Sequence, residues 1–200
     1  MTGGVKVTGE GLSCRRGDRL LFCGLSFEAA PGSLSAVTGP NGSGKTSLLR
    51  MIAGLLKPEA GTLRVAEAGR DEVAADLLHY LGHHDALKSQ MTARENLVFA
   101  ARWFGAGRAP GDALERLGLS RQADLPVGYF SAGQRKRTAL ARCWMLGRPL
   151  WLLDEPTAAL DAAGRALVIE LIAAHAAGGG TVIAATHEPL GAGAAEIAVA

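Results

Sequence analysis

The chain has 200 residues, 48% hydrophobic and 20% charged, with a formal net charge of +2. This composition fits a globular protein, excludes disorder, and sets up no strong field for nucleic acid or an anionic membrane. One domain is the default at this length, burying about 70% of the surface its unfolded form would expose. No run of about 18 apolar residues occurs, so a membrane span is not expected, and any membrane work needs a partner to hold the chain there. Residues 1–5 carry no charged-then-apolar signal pattern. Cys14, Cys23 and Cys143 lack metal spacing and read as small hydrophobes in a reducing cytosol.

In chain order, residues 5–13 and 21–29 read as strands around a polar turn at Arg15-Arg16-Gly17-Asp18. Residues 33–38 form a third strand that feeds a Gly-rich loop, followed by a helix over 45–55. Short strands are expected at 61–65 and 77–81. Thr92 and Glu95 form a capping-box pattern for a helix over 93–104. A helix over 111–117 stops at Gly118, and one over 131–146 stops at Gly147. Residues 150–153 are apolar and too few for a helix, as in a buried parallel strand. A helix over 162–177, a break at Gly178-Gly179-Gly180 and a buried strand over 181–185 complete the alternation. The order predicts an α/β fold with a mostly parallel sheet covered by helices on both faces.

Gly39-Pro40-Asn41-Gly42-Ser43-Gly44-Lys45-Thr46 matches the P-loop pattern, with a strand before it and a helix after it. Glycines let backbone N–H groups converge on phosphates without Cβ clashes, and the helix N-terminus adds positive potential. Lys45 is the candidate bridge between β- and γ-phosphates, and Thr46 a candidate Mg²⁺ ligand; Ser47 completes the nucleotide-contacting stretch. Asp154, ending the 150–153 run, is the second candidate Mg²⁺ ligand, and Glu155 the candidate general base toward an attacking water. The competing reading, a strand ending in two solvated acids, weakens beside a P-loop. His187, after the last apolar strand, is the candidate donor to the γ-phosphate or holder of the water, although a lone strand-end His is commonly structural.

Ser131-Ala132-Gly133-Gln134 is itself a capping box. A helix N-terminus opened by Ala132 and Gly133 is equally an anion site, and the two roles are compatible. Its distance in sequence from the P-loop suggests that a second copy of the chain supplies it. Arg135-Lys136-Arg137 reads as a solvated helix face opposite Leu140, Cys143 and Trp144, with no nucleic acid implied. His79, His83 and His84 lack a companion Cys or a third spaced carboxylate and do not read as a metal or haem site.

Residues 39–46, 130–134 and 151–156, then Ala159-Leu160-Asp161 and Thr186-His187, resemble in order the Walker A, signature, Walker B, D-loop and H-loop motifs of ABC ATPases. The resemblance spans nearly the whole chain. It implies one ATPase domain over 1–200 with a small N-terminal antiparallel part and a helical subdomain over about 84–147. It further implies ATP and Mg²⁺ as cofactors and a head-to-tail homodimer, with ATP held between the P-loop of one copy and Ser131, Gly133, Gln134 and Asp161 of the other. Segments 21–27, 81–84, 92–97 and 131–144, with Ala132 and Trp144 foremost, resemble more narrowly the ATPases of bacterial cytochrome c maturation. That implies haem handling, membrane-spanning partners of the CcmB and CcmC type, and peripheral attachment to the cytoplasmic face of the inner membrane. Rivals are the engine of a drug or lipid exporter, a non-transport ABC protein, or a module that binds nucleotide without hydrolysis.

Two positions depart from the general ABC pattern. His84 stands where a Gln usually reaches Mg²⁺ and water; imidazole is a poor Mg²⁺ ligand, and Gln90 further along the same loop is the alternative. Arg16 stands where many relatives stack an aromatic on adenine, a role a guanidinium can also fill.

Overall fold

In a computed structural model, residues 4–67, 70–71, 77–191 and 193–200 are described; residues 1–3, part of the stretch read for a signal, lie outside them. β1 (Val5–Arg16) and β2 (Arg19–Ala29) form an antiparallel hairpin. The turn is tighter than the sequence suggests. Arg16 pairs with Arg19, and Gly17 at φ 57° supplies the left-handed conformation that so short a connection requires. β3 (Leu34–Thr38) leads into α1 (Lys45–Ile52), and β4 (Ala60–Glu67) and β5 (Arg70–Asp71) extend the antiparallel part in the order β2-β1-β4-β5.

After β6 (Leu78–Leu81) come α2 (Ala93–Phe104), α3 (Pro110–Arg116), two short 3₁₀ turns at Ser120–Gln122 and Val127–Tyr129, and α4 (Ala132–Leu146). The stretch between β6 and β7 is thus helical in parts, with loops at 82–92 and 105–109. Thr92 and Glu95 exchange the two hydrogen bonds of a capping box, as Ser131 and Gln134 do for α4, and Gly147 ends α4 at φ 64°. Then follow β7 (Leu150–Asp154), α5 (Ala162–Ala177), β8 (Thr181–Ala185) and β9 (Ala195–Ala198). Sequence reading did not find β9, whose alanines and single Ile carry little strand signal.

The second sheet is parallel throughout in the order β6-β7-β8-β3-β9. Every side chain of β7 and β8 is buried, and alternate residues feed opposite layers. Trp151, Leu153, Val182 and Ala184 pack with Leu97, Leu114, Leu140 and Leu171 of the helices. Leu150, Leu152, Ile183 and Ala185 pack with Leu48 and Ile52 of α1 and with Val5, Val7 and Leu12 of the antiparallel sheet. This period-2 division of an uninterrupted apolar strand is what a doubly covered parallel sheet requires. It leaves the carboxyl ends of β3, β7 and β8 at one rim.

Two partly buried imidazoles lie away from that rim. His175 stacks on Trp151 with ring centroids 3.9 Å apart, and its Nε2 faces the Pro149 carbonyl at 3.2 Å. Burial pushes its pKa down to about 4, with the Pro149 contact opposing and Arg108 assisting. Burial, with Arg142 and Arg148 nearby, pushes His79 down to about 3.

Both groups stay neutral in the folded chain while the unfolded chain protonates them below the usual 6.5. Their contribution is therefore complete above pH 6.5 and declines as pH falls toward about 4 for His175 and about 3 for His79. Denaturant midpoints should drop over that range, and a His79→Leu/His175→Phe variant should show a flatter dependence. In the core, Leu152→Ala, at a side chain with no exposed surface, should lower unfolding free energy by about 2–5 kcal/mol, measured by urea denaturation.

Candidate functional site

The P-loop follows β3 and wraps the start of α1. Gly44 at φ 112° is the N-cap of that helix and supplies no side-chain cap, so the first backbone N–H groups remain available to an anion. A side chain at Gly44 would meet Phe22 Cδ1 at 2.8 Å, and one at Gly39, φ 142°, would collide with the Val199 carbonyl beyond β9. The loop is thus pressed from both sides, and glycine is what the space and the backbone permit. Lys45 Nζ donates to the carbonyls of Gly39 and Pro40 at 2.7 and 3.1 Å. Ser43 Oγ is buried and makes no hydrogen bond among the described residues.

Thr46 Oγ1 donates to Asp154 Oδ2 at 2.9 Å, joining the first turn of α1 to the end of β7. Both are hard oxygen groups, and Asp154 is almost fully buried, so the pair fits a magnesium ion that keeps part of its water shell. Glu155 comes next at φ 48°, a left-handed conformation that a non-glycine residue rarely adopts, with its N–H bonded to the Ala185 carbonyl at 2.9 Å. The twist turns its carboxylate toward His187, whose Nε2 lies 3.7 Å from Glu155 Oε1.

One cleft of about 390 Å³ is lined by Asn41, Gly42, Gly44, Lys45, Thr46 and Ser47, by Asp154, Glu155 and His187, and by Arg16. Arg19, Leu21 and His83 share the lining and were missed in the sequence. The signal for Arg19 was the two-residue turn, because pairing Arg16 with Arg19 sets both guanidinium-bearing residues at the hairpin tip.

His83 replaces His84 as the imidazole of this cleft. His84 lines only a neighbouring cavity between the β6–α2 loop and α4, which it shares with His83, Asp85, Arg135, Lys136 and Glu155, so His83 borders both cavities. Gln90 is exposed and belongs to neither.

Ser131, Gly133, Gln134 and Asp161 gather in a third, shallow depression that shares no lining residue with the nucleotide cleft. Ser131 Oγ accepts from Gln134 N–H at 3.2 Å while Gln134 Oε1 accepts from Ser131 N–H at 2.9 Å. Asp161 caps α5 by accepting from Gly164 N–H at 2.8 Å. A side chain at Gly133 would meet the Ala159 carbonyl at 2.9 Å, so the small residue lets the 156–161 loop lie against α4.

The Arg135-Lys136-Arg137 cluster is not the solvated face expected of it. Arg135 Nε pairs with Asp85 Oδ2 at 2.8 Å, Lys136 Nζ reaches the Asp154 carbonyl at 3.5 Å, and Arg137 Nη1 donates to the Leu117 carbonyl at 3.0 Å. All three cations fasten α4 to its surroundings. Sequence periodicity assigned them outward because it cannot see the loops that fold back over the helix.

A family model described as ABC transporter matches residues 22–158. A cytochrome c biogenesis ATP-binding export protein CcmA from Rhodopseudomonas palustris is 50% identical over 96% of this chain and 97% of its own length. Its namesake from Nitrobacter winogradskyi is 46% identical over 98% of each chain. Among solved structures, an ABC transporter ATP-binding protein from Pyrococcus furiosus superposes with a TM-score of 0.84 over 97% of each chain at 23% identity. An Atm1-family ABC exporter with ATP bound gives 0.77 over 94% of this chain and 35% of its own length, at 24% identity. These two likenesses speak for the fold. With the motifs assembled on that fold, the chain belongs to the ABC transporter ATP-binding family, in the branch of CcmA cytochrome c biogenesis export proteins.

Proposed function

We propose that the chain is the ATP-hydrolysing subunit of a membrane export complex that serves cytochrome c maturation by haem export or delivery. The observation that carries this is the joined Thr46–Asp154 pair with Glu155 and His187 on the same cleft as the P-loop. The relatives' roles in cytochrome c biogenesis supply the cargo side of the reading.

In this reading Gly39, Pro40, Asn41, Gly42, Ser43 and Gly44 cradle the phosphates, Lys45 turns from its loop carbonyls to the β- and γ-phosphates, and Ser47 continues the contact. Thr46 and Asp154 would hold Mg²⁺, which when bound neutralises phosphate charge and orients the chain for in-line attack. Glu155 takes the proton of the attacking water, and His187 orients the γ-phosphate or that water. Arg16, which lines the same cleft at the hairpin tip, would stack its guanidinium on the base.

Ser131, Gly133, Gln134 and Asp161 contribute to the nucleotide of a second copy, because their depression is separate from the cleft of their own chain. A homodimer with two shared ATP sites follows. No helix among the described residues is long and apolar enough to cross a membrane. Membrane-spanning subunits of the CcmB and CcmC type would hold the dimer at the cytoplasmic face of the inner membrane.

Glu155→Gln should reduce ATP turnover at least about 100-fold while retaining ATP, and should accumulate an ATP-bound dimer visible by size-exclusion chromatography. Turnover near wild type in that variant rules out the base assignment. Comparison of His83→Ala with His84→Ala separates the two imidazoles. Loss of about tenfold in kcat, near 1.4 kcal/mol of barrier, is expected from the first variant and much less from the second.

A further inference from the structure

The first half of the β6–α2 loop carries both imidazoles and is held by α4, while the second half is tied to Asn96 of α2 and to Gly128 through Lys88 and Ser89. Asp85 is the hub of the first half. Its Oδ2 pairs with Arg135 Nε at 2.8 Å, and its Oδ1 accepts from Leu87 N–H at 3.1 Å. Its carbonyl accepts from Arg142 Nη2 at 2.9 Å, while Arg142 Nη1 donates to the Ala86 carbonyl at 3.1 Å. Burial opposes the Asp85 charge, yet the Arg135 hydrogen bond, the Leu87 N–H and the two nearby guanidinium groups together hold its carboxyl below the usual range.

Between these anchors Ala86 sits at φ 52°. A residue with a Cβ keeps that conformation only when its surroundings fix it. Both anchoring cations come from α4, the helix whose first turn is formed by Ala132, Gly133 and Gln134 behind the Ser131 cap. An exposed ion pair usually contributes little. This one is different in kind, because the Asp85 side chain is only 17% exposed and the same residue is also bound through its backbone.

We propose that Asp85 is a positioning residue for ATP hydrolysis: its ion pair with Arg135 holds the β6–α2 loop so that His83 stands in the nucleotide cleft while α4 is in place. The proposal rests on the ATPase reading above. Arg135 directly follows the residues offered to the partner's ATP, so α4 engaged by that ATP bears through Asp85 on the imidazole of its own cleft. Lys136 joins the same helix to the Asp154 carbonyl and keeps the carboxyl end of β7 in the linkage.

The test is a double-mutant cycle on the full chain, with Asp85→Asn, Arg135→Gln and the exchange Asp85→Arg/Arg135→Asp. ATP turnover is measured for each, and ATP affinity in a Glu155→Gln background by equilibrium binding. Each single variant should lose about tenfold in kcat with ATP affinity within about twofold of the parent, and the exchange should recover most of the loss. If the exchanged variant fails to fold by thermal melt, Asp85→Glu replaces it and should turn over closer to wild type than Asp85→Asn. Singles with wild-type kcat, affinity falling in step with kcat, or no recovery in either rescue variant overturns the proposal. Failure of the ATPase reading shows differently, as no ATP turnover in the wild-type chain itself.

Discussion

The hydrogen bond from Thr46 to Asp154 joins residues 108 apart in the chain, and the cleft depends on it. It exists because the parallel sheet delivers β3 and β7, on either side of β8, with their carboxyl ends at the same rim. The loop after β3 becomes the phosphate cradle, the residues ending β7 become the acidic pair, and the segment after β8 supplies His187. Ligands of open parallel sheets gather at such rims because the strand ends leave a crevice between diverging connections. Two apolar layers hold the three strands in register. The polar bond between helix and strand then fixes the rotation of α1, and with it the direction of the backbone donors at the helix start.

Sequence spacing made the rim legible because each motif there is local. Gly39 to Thr46 are recognisable from their own spacing, and Asp154 and Glu155 from the end of a buried strand. The capping boxes at Thr92 and Ser131 were equally readable, since a cap is decided within four residues. What could not be read was decided by contacts across the chain. Which of His83 and His84 lines the nucleotide cleft is decided by the path of the β6–α2 loop, and adjacent residues of one loop carry no periodicity that separates them. β9 was invisible because Ala195, Glu196, Ile197 and Ala198 become a strand through pairing with β3. Arg135, Lys136 and Arg137 looked like a solvated stripe because their acceptors lie 50, 18 and 20 residues away.

α4 therefore has two chemistries at once. Its first turn is closed by Ser131 and Gln134 and faces outward with Gly133. Its next residues reach inward to a carboxylate, a strand-end carbonyl and two carbonyls before the 3₁₀ turn at Ser120–Gln122. A helix fastened this way moves as a body with the elements around it, and side-chain flexibility is not what links its two ends. The apolar interior of the lobe, with Leu140, Cys143 and Met145 fully buried, supplies the rigidity that such a linkage needs.

Glu155 shows what that rim asks of the chain. Its backbone sits at φ 48°, where glycine or asparagine would rest more easily, at an expense on the order of 1 kcal/mol. A sequence selected for thermal endurance alone would place glycine there and melt later. The carboxylate at this position thus marks a trade in which the fold gives up some resilience so that an acid stands at the turn. Chains of this architecture with glycine or asparagine at this turn, whatever they do with nucleotide, are expected to be the hardier ones.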